Sequence, residues 1–309
     1  MNIDEFFDPK KSLELYGLKN YFKFIRDLYD NKNLPKVLLL SGEKGLGKST
    51  LVNHILYYIF DRKNYNFEKN SLNHESSFYK QFKKNIFPNI IYLSGSTFKN
   101  IKVDEIRSLK RNILKTSLSK KLRFIIFDEI DIFNKNSLNA LLKIIEEPGQ
   151  NNSFILINNR TKILLETVKS RCIEIKIHMN TQAKIKVTDQ LLNKFDLSKK
   201  LNSYGSISPG NFIKLNYLLE NDKFDINQNY NKNLNKLINL YKKDKEEFYN
   251  NVILLYTDYY FENLMKKKVY PNQKIIDDRV FTIKSINDFF IYKLNQNTLL
   301  TNINERFNA

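Results

Sequence analysis

The segment Gly42-Glu43-Lys44-Gly45-Leu46-Gly47-Lys48-Ser49 fits the pattern G-x-x-x-x-G-K-[ST]. Glycines at this spacing let the main chain wrap close and point N–H groups at phosphate oxygens. A helix that starts where the loop ends adds the positive end of its dipole. Gly42, Gly45 and Gly47 shape the cradle and Thr50 follows it. Lys48 reaches the terminal phosphates, and Ser49 offers its hydroxyl to Mg²⁺. A chance Gly-rich turn is the competing reading, but it does not require the flanking strand and helix described below.

A second run, Phe124-Ile125-Ile126-Phe127-Asp128-Glu129, is apolar and ends in two carboxylates. As a strand it would carry Asp128 to the metal beside Ser49 and leave Glu129 to polarise an attacking water. Alone this is weak, since any strand can end in acids. Beside a phosphate loop it is strong, because each motif needs the other. Asn158 or Asn159, after a third apolar run, offers an amide that would sense the terminal phosphate, although Asn is also common in turns. Arg171, in Ser170-Arg171-Cys172, is poorly placed for its own loop. It is better placed to enter the site of an adjacent subunit as an arginine finger, and an ordinary surface arginine is the alternative. Cys172 lacks a Cys/His partner pattern and reads as a packing residue.

The elements that must position these groups follow from periodicity. Residues 36–40 form a mostly apolar run, as in a strand buried on both faces, and 49–60 read as the helix after the loop. Strands are expected at 89–93, 123–127 and 154–157. Helices are expected at 12–30, 103–115 and 136–147, the last ended by Pro148. Residues 173–177 alternate strictly and read as a half-buried edge strand. The stretch 65–85 is polar and irregular, suiting an inserted loop or short helices. Alternation of strands and helices to about residue 178 indicates a parallel α/β sheet. Beyond it the pattern is helical, at 181–201, at 211–219 after a turn at 205–210, and on to the end. The expected division is an α/β domain at 1–178, a small helical lid at 179–215 and a helical domain at 216–309.

Composition narrows the class. Of 309 residues, 42% are hydrophobic, enough for a proper core. No apolar run approaches the roughly 18 residues a bilayer span needs, and Asp4, Glu5 and Asp8 do not suit a secretory or transit leader. No membrane role is expected, and the location expected is cytoplasmic. A single cysteine excludes an internal disulfide, and with three histidines it excludes a Cys-rich zinc module. Lys+Arg exceeds Asp+Glu by 51 − 33, a formal net charge of +18. That charge attracts polyanions such as DNA. A/T-rich codons, which favour Lys, Asn and Ile, produce the same balance, and the lysines are spread along the chain.

Taken together, the phosphate loop, Asp128-Glu129, the stretch Asn139-Ala140-Leu141-Leu142-Lys143-Ile144-Ile145-Glu146-Glu147-Pro148, the run at 154–157 and Ser170-Arg171-Cys172 resemble the AAA+ clamp-loader family. Within it the chain looks most like the delta-prime subunits of bacterial DNA polymerase III. Leu34-Pro35, Ile101-Lys102-Val103-Asp104-Glu105-Ile106-Arg107 and the GSISPGN stretch from Gly205 to Asn211 point that way. The resemblance is strong over 12–178, fair to about 215 and weak in the last third.

The resemblance implies an AAA+ P-loop NTPase core with helices on both faces of a parallel sheet, a small helical lid and an all-helical collar for oligomerisation. It implies ATP and Mg²⁺ as ligands, with no zinc. The partners it implies are gamma/tau-like and delta-like subunits, the sliding clamp, and primed DNA held through its phosphates. A delta-prime-like subunit serves the DNA-directed DNA polymerase as a stator with little hydrolysis of its own, and Arg171 would complete a neighbour's ATP site. The sequence departs from that pattern in two directions. Lys48, Ser49 and Glu129 are intact, which suits real Mg-ATP binding and keeps open a hydrolysing motor subunit of gamma/tau or replication factor C type. Asn211 stands where the family usually offers an arginine, which speaks against hydrolysis. An AAA+ ATPase outside replication does not account for the ALLK..EEP and SRC stretches together.

Overall fold

The computed structural model describes residues 6–95, 122–149, 151–201, 205–221, 224–226, 228–245, 247–267 and 271–308. The helix expected at 103–115 and the motif at 101–107 lie outside them. The chain divides into two compact units: Asp8–Gln190 with Gly205–Gly210, and Met1–Phe7 with Leu191–Tyr204 and Asn211–Ala309.

The first unit runs α1 (Lys19–Asp30), β1 (Val37–Ser41), α2 (Lys48–Asp61), β2 (Tyr65–Asn66), β3 (Ser71–Leu72), α3 (Ser77–Lys83), β4 (Ile90–Ser94), β5 (Arg123–Asp128), α4 (Lys135–Glu146), β6 (Asn152–Asn158), α5 (Glu166–Lys169) and β7 (Ile173–Lys176), then enters α6 (Thr181–Lys194). The main sheet has the order β4-β5-β6-β1-β7, and every pairing is parallel. Strands β1, β5 and β6 are buried along their whole length, which accounts for their unbroken apolar sequences. One face of the sheet, with Val37, Leu39, Ile125, Phe127, Phe154 and Leu156, packs on Leu138, Leu141, Ile144 and Ile145 of α4. On the other face Phe60 of α2 meets Phe124 edge-on, ring centroids 6.0 Å apart. Strand β7 pairs with β1 alone among the described residues. Its edge position explains the alternating sequence.

One stretch departs from the sequence reading, and a second gives it definite form. The helix expected from residue 12 begins only at Lys19, because the preceding residues pair with the β2–β3 hairpin: Leu72 N–H donates to the Leu13 carbonyl at 2.8 Å and Leu15 N–H to that of Asn70 at 3.1 Å. Within 65–85, that hairpin and α3 are ordered by aromatic packing. Phe78, Tyr79 and Phe82 are buried, and the Phe78 ring lies 5.3 Å from Tyr57 and 5.8 Å from Phe60. Ser76 caps α3 by accepting from Tyr79 N–H at 3.1 Å. Its polar composition hid the aromatic spacing.

The second unit is helical. After α7 (Pro209–Asn221) come α8 (Tyr230–Asp244), α9 (Glu247–Lys267), α10 (Asn272–Tyr292) and α11 (Gln296–Asn308). α8 packs on α9, α9 on α10, α10 on α11, and α11 back on α8. Leu234, Leu237, Val252, Ile253, Ile286 and Ile303 fill the centre. Two polar pairs are buried among these helices: Tyr230 Oη lies 2.8 Å from Thr257 Oγ1, and Asn233 Nδ2 donates to Tyr256 Oη at 2.9 Å.

Candidate functional site

The parallel register gathers the expected site residues other than Arg171 at the carboxyl ends of the strands, where open α/β sheets hold ligands. Ser41 at the end of β1 pairs with Asn158 at the end of β6, and Asp128 at the end of β5 pairs with Ser94 of β4. The loop 42–47 leaves β1 at this level. Its first N–H, from Gly42, donates to the Asn158 carbonyl at 3.1 Å. Gly47 then turns at φ +89, a left-handed conformation costly to any residue with a Cβ, so that α2 starts at Lys48.

Lys48 is 2% exposed. Its ammonium donates to the Gly42 and Glu43 carbonyls, each at 2.8 Å. Burial pushes its pKa down to about 8, opposed by the negative charge of Asp128, Asp131 and Glu43. A cation held this way is poised for an anion that enters the loop. On the next residue, Ser49 Oγ donates to Asp128 Oδ2 at 2.8 Å. The same oxygen accepts from Tyr92 Oη, and Asp128 Oδ1 accepts Glu129 N–H at 2.8 Å. Burial raises the Asp128 carboxyl pKa, and these three donors work against the rise. Burial beside Asp128 also drives the Tyr92 hydroxyl well above its ordinary range.

Glu129 adopts left-handed backbone, φ 56 and ψ 45. Its carboxylate meets Lys44 Nζ at 2.8 Å and lies 3.5 Å from Asn159 Nδ2. Asn158 is buried and turned elsewhere, with Nδ2 3.3 Å from Ser41 Oγ and Oδ1 accepting Arg160 N–H at 2.9 Å. Of the two asparagines, Asn159 is therefore the one whose side chain faces Glu129. Asp131, buried, ties this segment down by accepting Asn159 N–H at 3.1 Å and Thr161 N–H at 2.9 Å. Thr50 lies half-buried in the first turn of α2.

The 205–210 segment grips the other side of the loop. Ser208 N–H donates to Glu43 Oε1 at 3.0 Å, Ser208 Oγ to the Lys44 carbonyl at 2.5 Å and Gly210 N–H to the Gly45 carbonyl at 2.9 Å. Lys184 Nζ joins Glu43 Oε2 at 2.6 Å. These contacts take carbonyl and side-chain oxygens of the loop, while its N–H groups are what a phosphate uses.

Arg171 lies at the far end of the sheet from this site. It stands two residues before Ile173, which pairs with Leu38, four positions ahead of Gly42. That is roughly 13 Å along the strand. Its guanidinium meets Glu146 Oε1 at 2.7 Å and the Thr167 carbonyl at 2.9 Å. Cys172 packs against the sheet–α4 core, its Sγ 3.1 Å from the Val168 carbonyl, as expected of a packing residue.

Lys44, Tyr92, Asp131, Glu43 and Ser208 belong to the site and were not singled out from the sequence. Tyr92 had one signal, a hydroxyl inside the otherwise apolar Ile90-Ile91-Tyr92-Leu93. Asp131 had none.

The family model described as DNA polymerase III, delta subunit, matches residues 17–181. The DNA polymerase III subunit gamma of Buchnera aphidicola subsp. Schizaphis graminum is 27% identical over 180 residues, covering 57% of this chain and 47% of that protein. The delta' subunit of the same organism is 29% identical over 235 residues, covering 74% and 67%. The chain spans about half the length of the gamma relatives it matches. A gamma subunit-related protein of Thermotoga maritima has a solved structure that overlays with a TM-score of 0.47 at 15% identity, over 91% of this chain and 96% of that one.

Proposed function

We propose that this chain, which belongs to the DNA polymerase III delta-subunit family, is a delta-prime-like clamp-loader subunit that binds Mg-ATP and lends Arg171 to the ATP site of a neighbouring subunit. The observation that carries the reading is the meeting of Ser49 Oγ and Asp128 Oδ2, 2.8 Å apart, beside the buried Lys48 ammonium. Two hard oxygens are what Mg²⁺ takes from a protein when phosphates and water supply the rest. Lys48 and the loop N–H groups would hold the phosphates, Ser49 and Asp128 the metal. Bound Mg²⁺ supplies charge neutralisation on the phosphate oxygens. Glu129 would orient the water and Asn159 would position Glu129.

As a subunit of that kind, the chain would act in the cytoplasm with gamma/tau-like and delta-like partners. Together they would load the sliding clamp on primed DNA, with salt-sensitive, sequence-independent phosphate contacts drawing on the positive charge. The four packed helices α8–α11 would serve as the collar. The second reading is a hydrolysing motor subunit, and Glu129 beside Asp128 and Ser49 is what favours it. One experiment separates the two: ATP turnover by the complex that copurifies with this chain, with clamp and primed DNA, for wild type and Lys48→Ala. Unchanged turnover supports the stator; a sharp fall identifies a motor.

A further inference from the structure

One oxygen of the carboxylate that would activate water is already engaged. Glu129 Oε1 takes the Lys44 ammonium at 2.8 Å, and Lys44 belongs to the phosphate loop itself. Both ends of this pair are held. At the loop end, the Lys44 carbonyl accepts from Ser208 Oγ and the next carbonyl from Gly210 N–H. At the acid end, the left-handed backbone of Glu129 is a conformation non-glycine residues keep only where their surroundings impose it. Gly95, just beyond β4, helps to impose it: a Cβ there would stand 2.5 Å from the Glu129 carbonyl oxygen and 3.0 Å from its Cβ.

A general base must present a free oxygen to the proton it takes. An oxygen bound to an ammonium is a poorer acceptor, and the compact lysine charge also fills the space beside it. We infer that Lys44 is a positioning residue that restrains Glu129: the loop ammonium keeps the base in a resting ion pair, so that the chain holds nucleotide while turning it over slowly. This rests on the reading of the loop as an ATP site. It gives a physical cause for slow turnover in a chain whose Lys48, Ser49, Asp128 and Glu129 are all present.

The test uses the full chain as wild type, Lys44→Ala, Lys44→Arg and the double variant Lys44→Ala/Glu129→Gln. Two quantities are measured: affinity for a fluorescent ATP analogue with Mg²⁺, and single-turnover hydrolysis of ATP. Lys44→Ala is expected to hydrolyse about five-fold faster, the size of effect a partly exposed ion pair supports, without loss of ATP affinity. Lys44→Arg keeps the pair and stays near wild type, and the double variant loses the gain. Lys44→Met, which retains the aliphatic stem, replaces Lys44→Ala should the smaller side chain unsettle the loop. A rate that is unchanged or lower in a variant that still binds ATP overturns the restraint. Weakened ATP binding overturns it too, and assigns Lys44 to the phosphates. Absence of ATP binding by the wild-type chain is a different result, which removes the reading of the loop itself.

Discussion

Arg171 and Glu146 are bound to one another: Nε and Nη2 of the arginine both lie 2.7 Å from Oε1 of the glutamate. Glu146 is the last residue of α4, and Arg171 stands just ahead of β7. The acidic end of one sequence signature therefore orients the guanidinium of another. The pair is partly exposed, so its stability contribution is about 0–1 kcal/mol. Its consequence is that the guanidinium is held at the end of α4.

Replacing Arg171 by Ala should leave ATP binding by this chain intact and lower hydrolysis at the neighbouring site of the assembly by roughly 10³-fold or more. Glu146→Gln, which keeps the arginine but loosens its orientation, should give a smaller loss in the same direction. Steady-state ATP turnover of the reconstituted complex measures both. Unchanged turnover with Arg171→Ala would remove the finger role.

Lys48→Ala deletes the buried cation that the loop carbonyls now hold. Calorimetric titration should show nucleotide binding abolished. Binding like that of the wild type would mean that the loop is not a phosphate cradle.

Phe154→Ala tests the sheet that carries the site. Phe154 is 0% exposed, between Val37 and Ile125 on the strands either side and stacked near Phe127. Urea unfolding should show a loss of about 3–5 kcal/mol. The same truncation at Ile173, which is 61% exposed on the edge strand, should stay within about 0.5 kcal/mol.

Burial pushes the Cys172 thiol up to about 12, with Glu174 adding to the shift. Only the thiolate is alkylated. At pH 8 the folded chain should react with iodoacetamide roughly 10³-fold more slowly than the unfolded chain, whose thiol ionises near 8.5. The unfolded thiol loses its proton above about pH 8.5 while the folded one keeps it to about 12. This residue's contribution to stability therefore declines across that window. Equal alkylation rates in the two states would contradict the burial argument.

What the sequence determined by itself was local. The phosphate loop, the apolar strand ending in Asp128-Glu129, the helix ended by Pro148 and the alternating edge strand are each written in a few adjacent residues. Hydrogen bonding and burial act on them at the periods of a helix or a strand. The expectation of a parallel α/β core followed by helices rested on that signal and matches the structure. The tertiary structure decided which groups meet. Tyr92 and Asp128 are 36 positions apart, Lys44 and Glu129 sit on different elements, and Ser208 reaches the loop across 164 positions. Which of Asn158 and Asn159 lies nearer Glu129 is set the same way, by how the end of the strand turns its neighbouring side chains. Such meetings depend on strand order and register. Those are set by the burial of whole faces against one another, so no short run of sequence carries them.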